Sequence, residues 1–107
     1  LDYMEIKIRG VDYTLRYTAR GLFIYEQIVG VPFSPDKLLN EYTLMYSMIL
    51  ANNRHFSMLF DEFIDVCDDE PTLFSDFRKW LVRELKQKSQ LMQIEDIEAQ
   101  EDEVKKN

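Results

Sequence analysis

The 107-residue chain has one cysteine, Cys67, so it cannot close a disulfide within itself. That fits a reducing compartment, and a cytoplasmic location is expected. No apolar run approaches the 18 residues or so that a membrane helix needs. No secretory leader pattern is present, nor any internal repeat or low-complexity linker. Basic residues are too few to outweigh the acids, and the formal net charge is −7. The whole excess lies beyond His55, because residues 1–55 balance to zero. A nucleic-acid binder needs a basic footprint, so nucleic acid is not expected as a partner. Catalytic signatures are missing as well. The only histidine, His55, stands twelve residues from Cys67 with no third group to orient it, and Cys67 falls on an apolar helix face. No enzyme activity and no cofactor are expected.

What is present is core material: 46% hydrophobic residues, with seven Phe, six Tyr and one Trp. This suits one α+β domain, an N-terminal two-stranded antiparallel hairpin packed on three to four helices. Its expected span is 4–92, followed by an acidic tail over 93–107. Met4 is read as the natural start, and the three residues before it are left out of the fold. A hairpin loop at Gly10-Val11, of type II′, would place Ile8 opposite Tyr13, Ile6 opposite Leu15 and Met4 opposite Tyr17. The other face would pair Arg9 with Asp12, Lys7 with Thr14 and Glu5 with Arg16. Alternation of this kind marks a half-buried strand pair, which needs a lid because a lone hairpin is marginal in water.

Thr18 and Gly30 bracket a helix over about 19–29 as N-cap and left-handed C-terminal residue. Leu22, Ile24, Tyr25, Ile28 and Val29 share an arc of it that contains Gly21, whose missing side chain lets another backbone come close. Phe23 points the other way. Ser34 and Pro35 predict the start of a second helix that runs to about Asn52. Its main apolar face carries Leu38, Leu39, Tyr42, Met45, Tyr46, Ile49 and Leu50. Leu44, Met48 and Ala51 form a second strip. A third helix, capped by Ser57 or Asp61, would turn Phe60, Phe63, Ile64 and Cys67 inward. Asp68-Asp69-Glu70-Pro71 ends it and opens a fourth, lined by Phe74, Phe77, Leu81 and Leu85 and flanked by Leu73 and Trp80. Glu101–Lys105 and Asp102–Lys106 are i, i+4 pairs in the tail.

Charge clusters have plain explanations. Asp61, Glu62, Asp65, Asp68, Asp69 and Glu70 lack the glycine and spacing of a calcium loop. Asp68, Asp69 and Glu70 instead complement the positive start of the helix they precede, with Arg83, Lys86 and Lys88 at its other end. No metal is expected. Lys7, Arg9, Arg16 and Arg20 share their surface with Glu5 and Asp12, as charges that protect a strand edge do. The candidates for binding protein are therefore apolar: Phe23, Leu44, Met48 and Ala51, each off the main face of its helix. They are covered either by this chain's own core or by a partner.

Segment order adds a family resemblance. The strand pair leads into LRYTARGLFIYEQIVGVPF. A Tyr/Met-rich helix follows, ending in MILANN, then FDEFIDVCDDEP and a charged tail. Over about residues 4–88 this resembles the small tail-assembly chaperones of tailed phages and prophages. The resemblance implies a protein that binds the long tape-measure protein, keeps its apolar helices soluble and assists tail assembly. It further implies possible homo-oligomers and a second, longer form made by frameshifting. It carries no catalytic residues and no binding motif to transfer. The alternative is a small cytoplasmic regulatory or inhibitor protein acting on one folded protein partner.

Overall fold

The computed structural model describes residues 3–87. The acidic tail, its i, i+4 pairs and the domain limit near residue 92 lie outside them. The α+β architecture follows the sequence expectation: a hairpin, β1 (Tyr3–Ile8) and β2 (Val11–Arg16), then four helices. These are α1 (Ala19–Val29), α2 (Leu38–Asn52), α3 (Phe60–Asp69) and α4 (71–87). Tyr3, set aside in the sequence reading, is the first residue of β1 and pairs with Arg16.

The hairpin faces are as expected, but its register differs by two residues. Ile8 pairs with Val11, Ile6 with Tyr13 and Met4 with Leu15, while Lys7 meets Asp12 and Glu5 meets Thr14. The loop is Arg9-Gly10, with φ of 48° and 80°. Positive φ at both central residues makes it type I′, the two-residue turn whose twist matches the strands. Arg9 takes the left-handed position that the sequence reading did not give it. Because side chains repeat every two residues, a slip of two keeps Ile6, Ile8 and Leu15 inward, and all three are buried. Only the turn tells the two registers apart.

In α1 the caps are local and fall as expected. Thr18 Oγ1 accepts from the Gly21 N–H at 3.1 Å. Gly30 is left-handed at φ 88°, and its N–H donates to the Glu26 carbonyl at 2.7 Å. Gly21 is buried where Met48 of α2 arrives: a Cβ built there would collide with the Met48 sulfur. The close neighbour is thus a side chain and not the backbone that the glycine led one to expect. Tyr25 is fully buried and meets Phe33 edge to face at 5.3 Å. Ile28 and Val29, placed on the inner arc by periodicity, are exposed near the helix end.

Helix α2 begins at Leu38, three residues later than Ser34-Pro35 implied. Asn40 Nδ2 donates to the Ser34 carbonyl at 2.9 Å and to Asp36 Oδ1 at 3.2 Å, which holds the stretch before it as a turn. Lys37 stands at the N-cap without a side-chain bond. From Glu41 onward α2 is wrapped on most sides, with Leu44, Met45, Met48 and Ile49 fully buried. Even its small polar residues are internal. The Thr43 and Ser47 hydroxyls donate back to the Leu39 and Thr43 carbonyls, at 2.8 and 2.7 Å. A helix apolar nearly all round is a central one.

The end of α2 grips the sheet. Thr14 N–H donates to Asn53 Oδ1, and Asn53 Nδ2 donates to the Thr14 carbonyl. Asn52 Nδ2 donates to the Arg16 carbonyl. Phe56 then plugs the connector, edge-on to Tyr13 and Tyr46. Neither Ser57 nor Asp61 caps α3; Leu59 holds that position without a side-chain bond. Phe63, Val66 and Cys67 are buried on α3, while Phe60 and Ile64 are half-buried. Pro71 opens α4, whose Leu73, Phe74, Phe77, Trp80 and Leu81 complete the core. Tyr42 stacks flat on Phe74, with ring centres 3.7 Å apart. Buried Glu41 receives Arg78 Nε at 3.5 Å across the α2–α4 contact.

Candidate functional site

Leu44 and Met48 are not surface residues. Both are fully buried, and Ala51 is half-buried. This corrects the choice of Leu44 and Met48 as candidate protein-binding residues: of the two covers the strip allowed, the chain's own core supplies it. The strip lies off the main apolar face of α2, but α1 packs over it, with Met48 seated against Gly21. Sequence periodicity reports that a strip is apolar, not what faces it. Phe23 differs: it is 60% exposed on α1, and Ile28, Val29 and Val31 are exposed farther along the chain. The structure does not bring Phe23 together with Leu44, Met48 and Ala51 in one surface.

The reverse holds at the start of α2. Periodicity puts Leu38 and Leu39 on the inner face, yet they are 58% and 63% exposed. The late start of the helix places them at its first turn, ahead of the wrapped segment. With Tyr42 one turn on, they face Phe60, Ile64 and Asp68 of α3 across an open groove of about 520 Å³. Leu59, 67% exposed, precedes α3. The turn that Asn40 fixes positions one wall; the edge-to-face contact of Phe60 with Tyr46, at 5.3 Å, positions the other. The groove is thus apolar in its lining and acidic at one end. Burial, then Cys67 and Asp68, push the Tyr42 phenol above its ordinary pKa of 10.0. Large exposed aliphatic side chains gathered at a concave surface mark an interaction site.

Two other constellations resolve as structure. Cys67 is buried, and burial, then Asp68 and Glu70, push its thiol up to about 12. A thiol that seldom ionises is a poor nucleophile. His55 is exposed and stacks on Tyr13 at 5.8 Å, beside the hairpin. Among the described residues no group of three or more His, Cys, Asp or Glu side chains could hold a metal ion. No described helix is long and apolar enough to cross a membrane.

The sequence reading missed the groove, the Asn53–Thr14 clamp and the buried carboxylates Glu41 and Glu84. A signal for the first did exist: paired leucines right after a Pro-Asp-Lys turn. Comparison with protein-family models, with curated proteins and with solved structures finds no match.

Proposed function

We propose that this chain is a phage or prophage tail-assembly chaperone. It binds apolar helices of the tape-measure protein without covalent chemistry and acts in the host cytoplasm. The observation that carries the reading is the open groove of Leu38, Leu39, Tyr42, Phe60 and Ile64, where apolar side chains of two helices face each other across a concave surface. Helix-in-groove binding lays the apolar face of one helix between two others, with a few aliphatic anchors. Leu38 and Leu39 are such anchors, and Asp68 at the groove end suits a basic residue flanking the client's apolar face. The net charge of −7 helps keep a complex with an apolar client in solution. The segment order over residues 4–88 supports the same reading by resemblance.

The test is co-expression with a helical fragment of the tape-measure protein from the same genome. Recovery of a soluble complex of the two supports the proposal. A fragment that stays insoluble with the chain, or that is soluble without forming a complex, counts against it.

A further inference from the structure

The two edges of the hairpin are treated differently. In a two-residue hairpin the pair flanking the loop exchanges hydrogen bonds, and pairing then alternates along the ladder. Ile8–Val11, Ile6–Tyr13 and Met4–Leu15 are therefore the bonded pairs. The backbone groups of Glu5 and Lys7 on β1, and of Thr14 and Arg16 on β2, point away from the ladder. On β2 this is directly visible, because the Asn53 and Asn52 side chains occupy those outward groups. On β1 no counterpart exists among the described residues: the N–H and C=O groups of Glu5 and Lys7 bond to nothing there. Such an edge is a template for another strand.

The open edge borders a groove of about 200 Å³ between β1 and the start of α4. Glu5 and Lys7 line one side; Glu70, Thr72 and Asp76 line the other. Lys7 Nζ already lies 3.8 Å from Asp12. The carboxylates of Glu5, Glu70 and Asp76 have no ion pair among the described residues. The groove lining carries three carboxylates, Glu5, Glu70 and Asp76, against the one ammonium of Lys7, so it is acidic on balance.

We propose that the outer edge of β1 accepts a third strand from a protein partner, an extended segment with Lys or Arg at alternate positions. Main-chain bonds to Glu5 and Lys7 hold the strand, as in other cases of strand addition. Because side chains alternate across a strand, one set of basic residues faces Glu70 and Asp76 beside α4. A second copy of the chain fits less well, since it would bring its own Glu70 and Asp76 to the same place. This edge is separate from the α2–α3 groove and does not depend on the function proposed for that groove.

The experiment uses the full chain and a capped hexapeptide of alternating Lys and Val. Two controls are its Glu–Val counterpart and a version N-methylated on alternate residues, which cannot complete the ladder. Backbone amide exchange is read by NMR. The Lys–Val peptide should slow exchange at Glu5 and Lys7 by about tenfold at near saturation, leaving the β1–β2 amides unchanged. The Glu–Val and N-methylated peptides should not. The Glu70→Lys/Asp76→Lys variant, altered at two exposed positions, should stay folded and lose the protection. The proposal is overturned if the Lys–Val peptide gives no protection, or if the N-methylated peptide binds as well. It is equally overturned if Glu5 and Lys7 are already protected without peptide. Protection independent of concentration would mean that the chain covers its own edge, and protection that grows with concentration would mean a second copy.

Discussion

Asn53 serves Thr14 as a substitute strand. The Thr14 N–H donates to Asn53 Oδ1 at 3.0 Å, and Asn53 Nδ2 returns a bond to the Thr14 carbonyl at 2.8 Å. The same Nδ2 also donates to the Ile49 carbonyl at 2.9 Å, which ties the clamp to the last turn of α2. Asn53→Ala should therefore destabilise the fold by about 2–3 kcal/mol, since it strands partly buried backbone groups. Urea unfolding checks this. Asn53→Asp should also destabilise, because a carboxylate cannot donate to two carbonyls. A variant with unchanged stability would show that the clamp contributes nothing.

Gly21 and Met48 are coupled by shape. Gly21→Ala gains helix propensity of about 1 kcal/mol but forces the buried Met48 thioether aside, at a cost of about 1–3 kcal/mol. Net destabilisation is expected. With Met48→Ala in the background the alanine at position 21 should become neutral or favourable. A double-mutant cycle by thermal or urea unfolding should return a coupling of about 1 kcal/mol or more.

The burial of Leu44 and Met48 sets a second stability prediction. Each large-to-Ala change at such sites costs about 2–5 kcal/mol. Replacing both with Ser should leave little folded protein by circular dichroism. Replacing exposed Phe23 with Ser should leave the thermal midpoint nearly unchanged.

Local chemistry was legible in the sequence and tertiary context was not. Thr18 and Gly30 bracket α1 as read, because a cap needs only its own turn. The inward set Ile6, Ile8 and Leu15 was legible from alternation, but a slip of two residues leaves that set intact. The left-handed Arg9 then decided the register. Ser34-Pro35 promised a helix start that the Asn40 side chain displaced to Leu38. Of the candidate binding residues, Phe23 is exposed and Leu44 and Met48 are core. Both apolar strips of α2 are covered past its first turn, the second of them by α1, and no periodicity encodes what packs over a strip.

Alkaline pH should unfold the chain through its buried acids. Burial, then Asp68 and Glu70, raise Cys67 from an ordinary value of 9.0 to about 12. Tyr17, Tyr25, Tyr42 and Tyr46 are all raised from 10.0, each first by burial. A group whose folded pKa is raised keeps its proton longer in the folded state. For Cys67 the stabilisation is complete below 9.0 and is lost as pH climbs toward about 12; the tyrosines lose theirs from 10.0 upward. Stability measured by urea titration should fall across that window, while the thiol resists alkylation at pH 8 until denaturant is added. Rapid alkylation of the folded chain would contradict the burial of Cys67.

The central claim is that the α2–α3 groove binds the client. It is tested most directly by calorimetry on a soluble helical fragment of the tape-measure protein, with the wild-type chain and with Leu38→Ser/Leu39→Ser. Both leucines are more than half exposed, so the variant should unfold at the same temperature as wild type. Two anchors worth about 2 kcal/mol each predict a loss of affinity of at least about a hundredfold. Equal affinity of a normally folded variant, or no binding by the wild-type chain, would contradict the account.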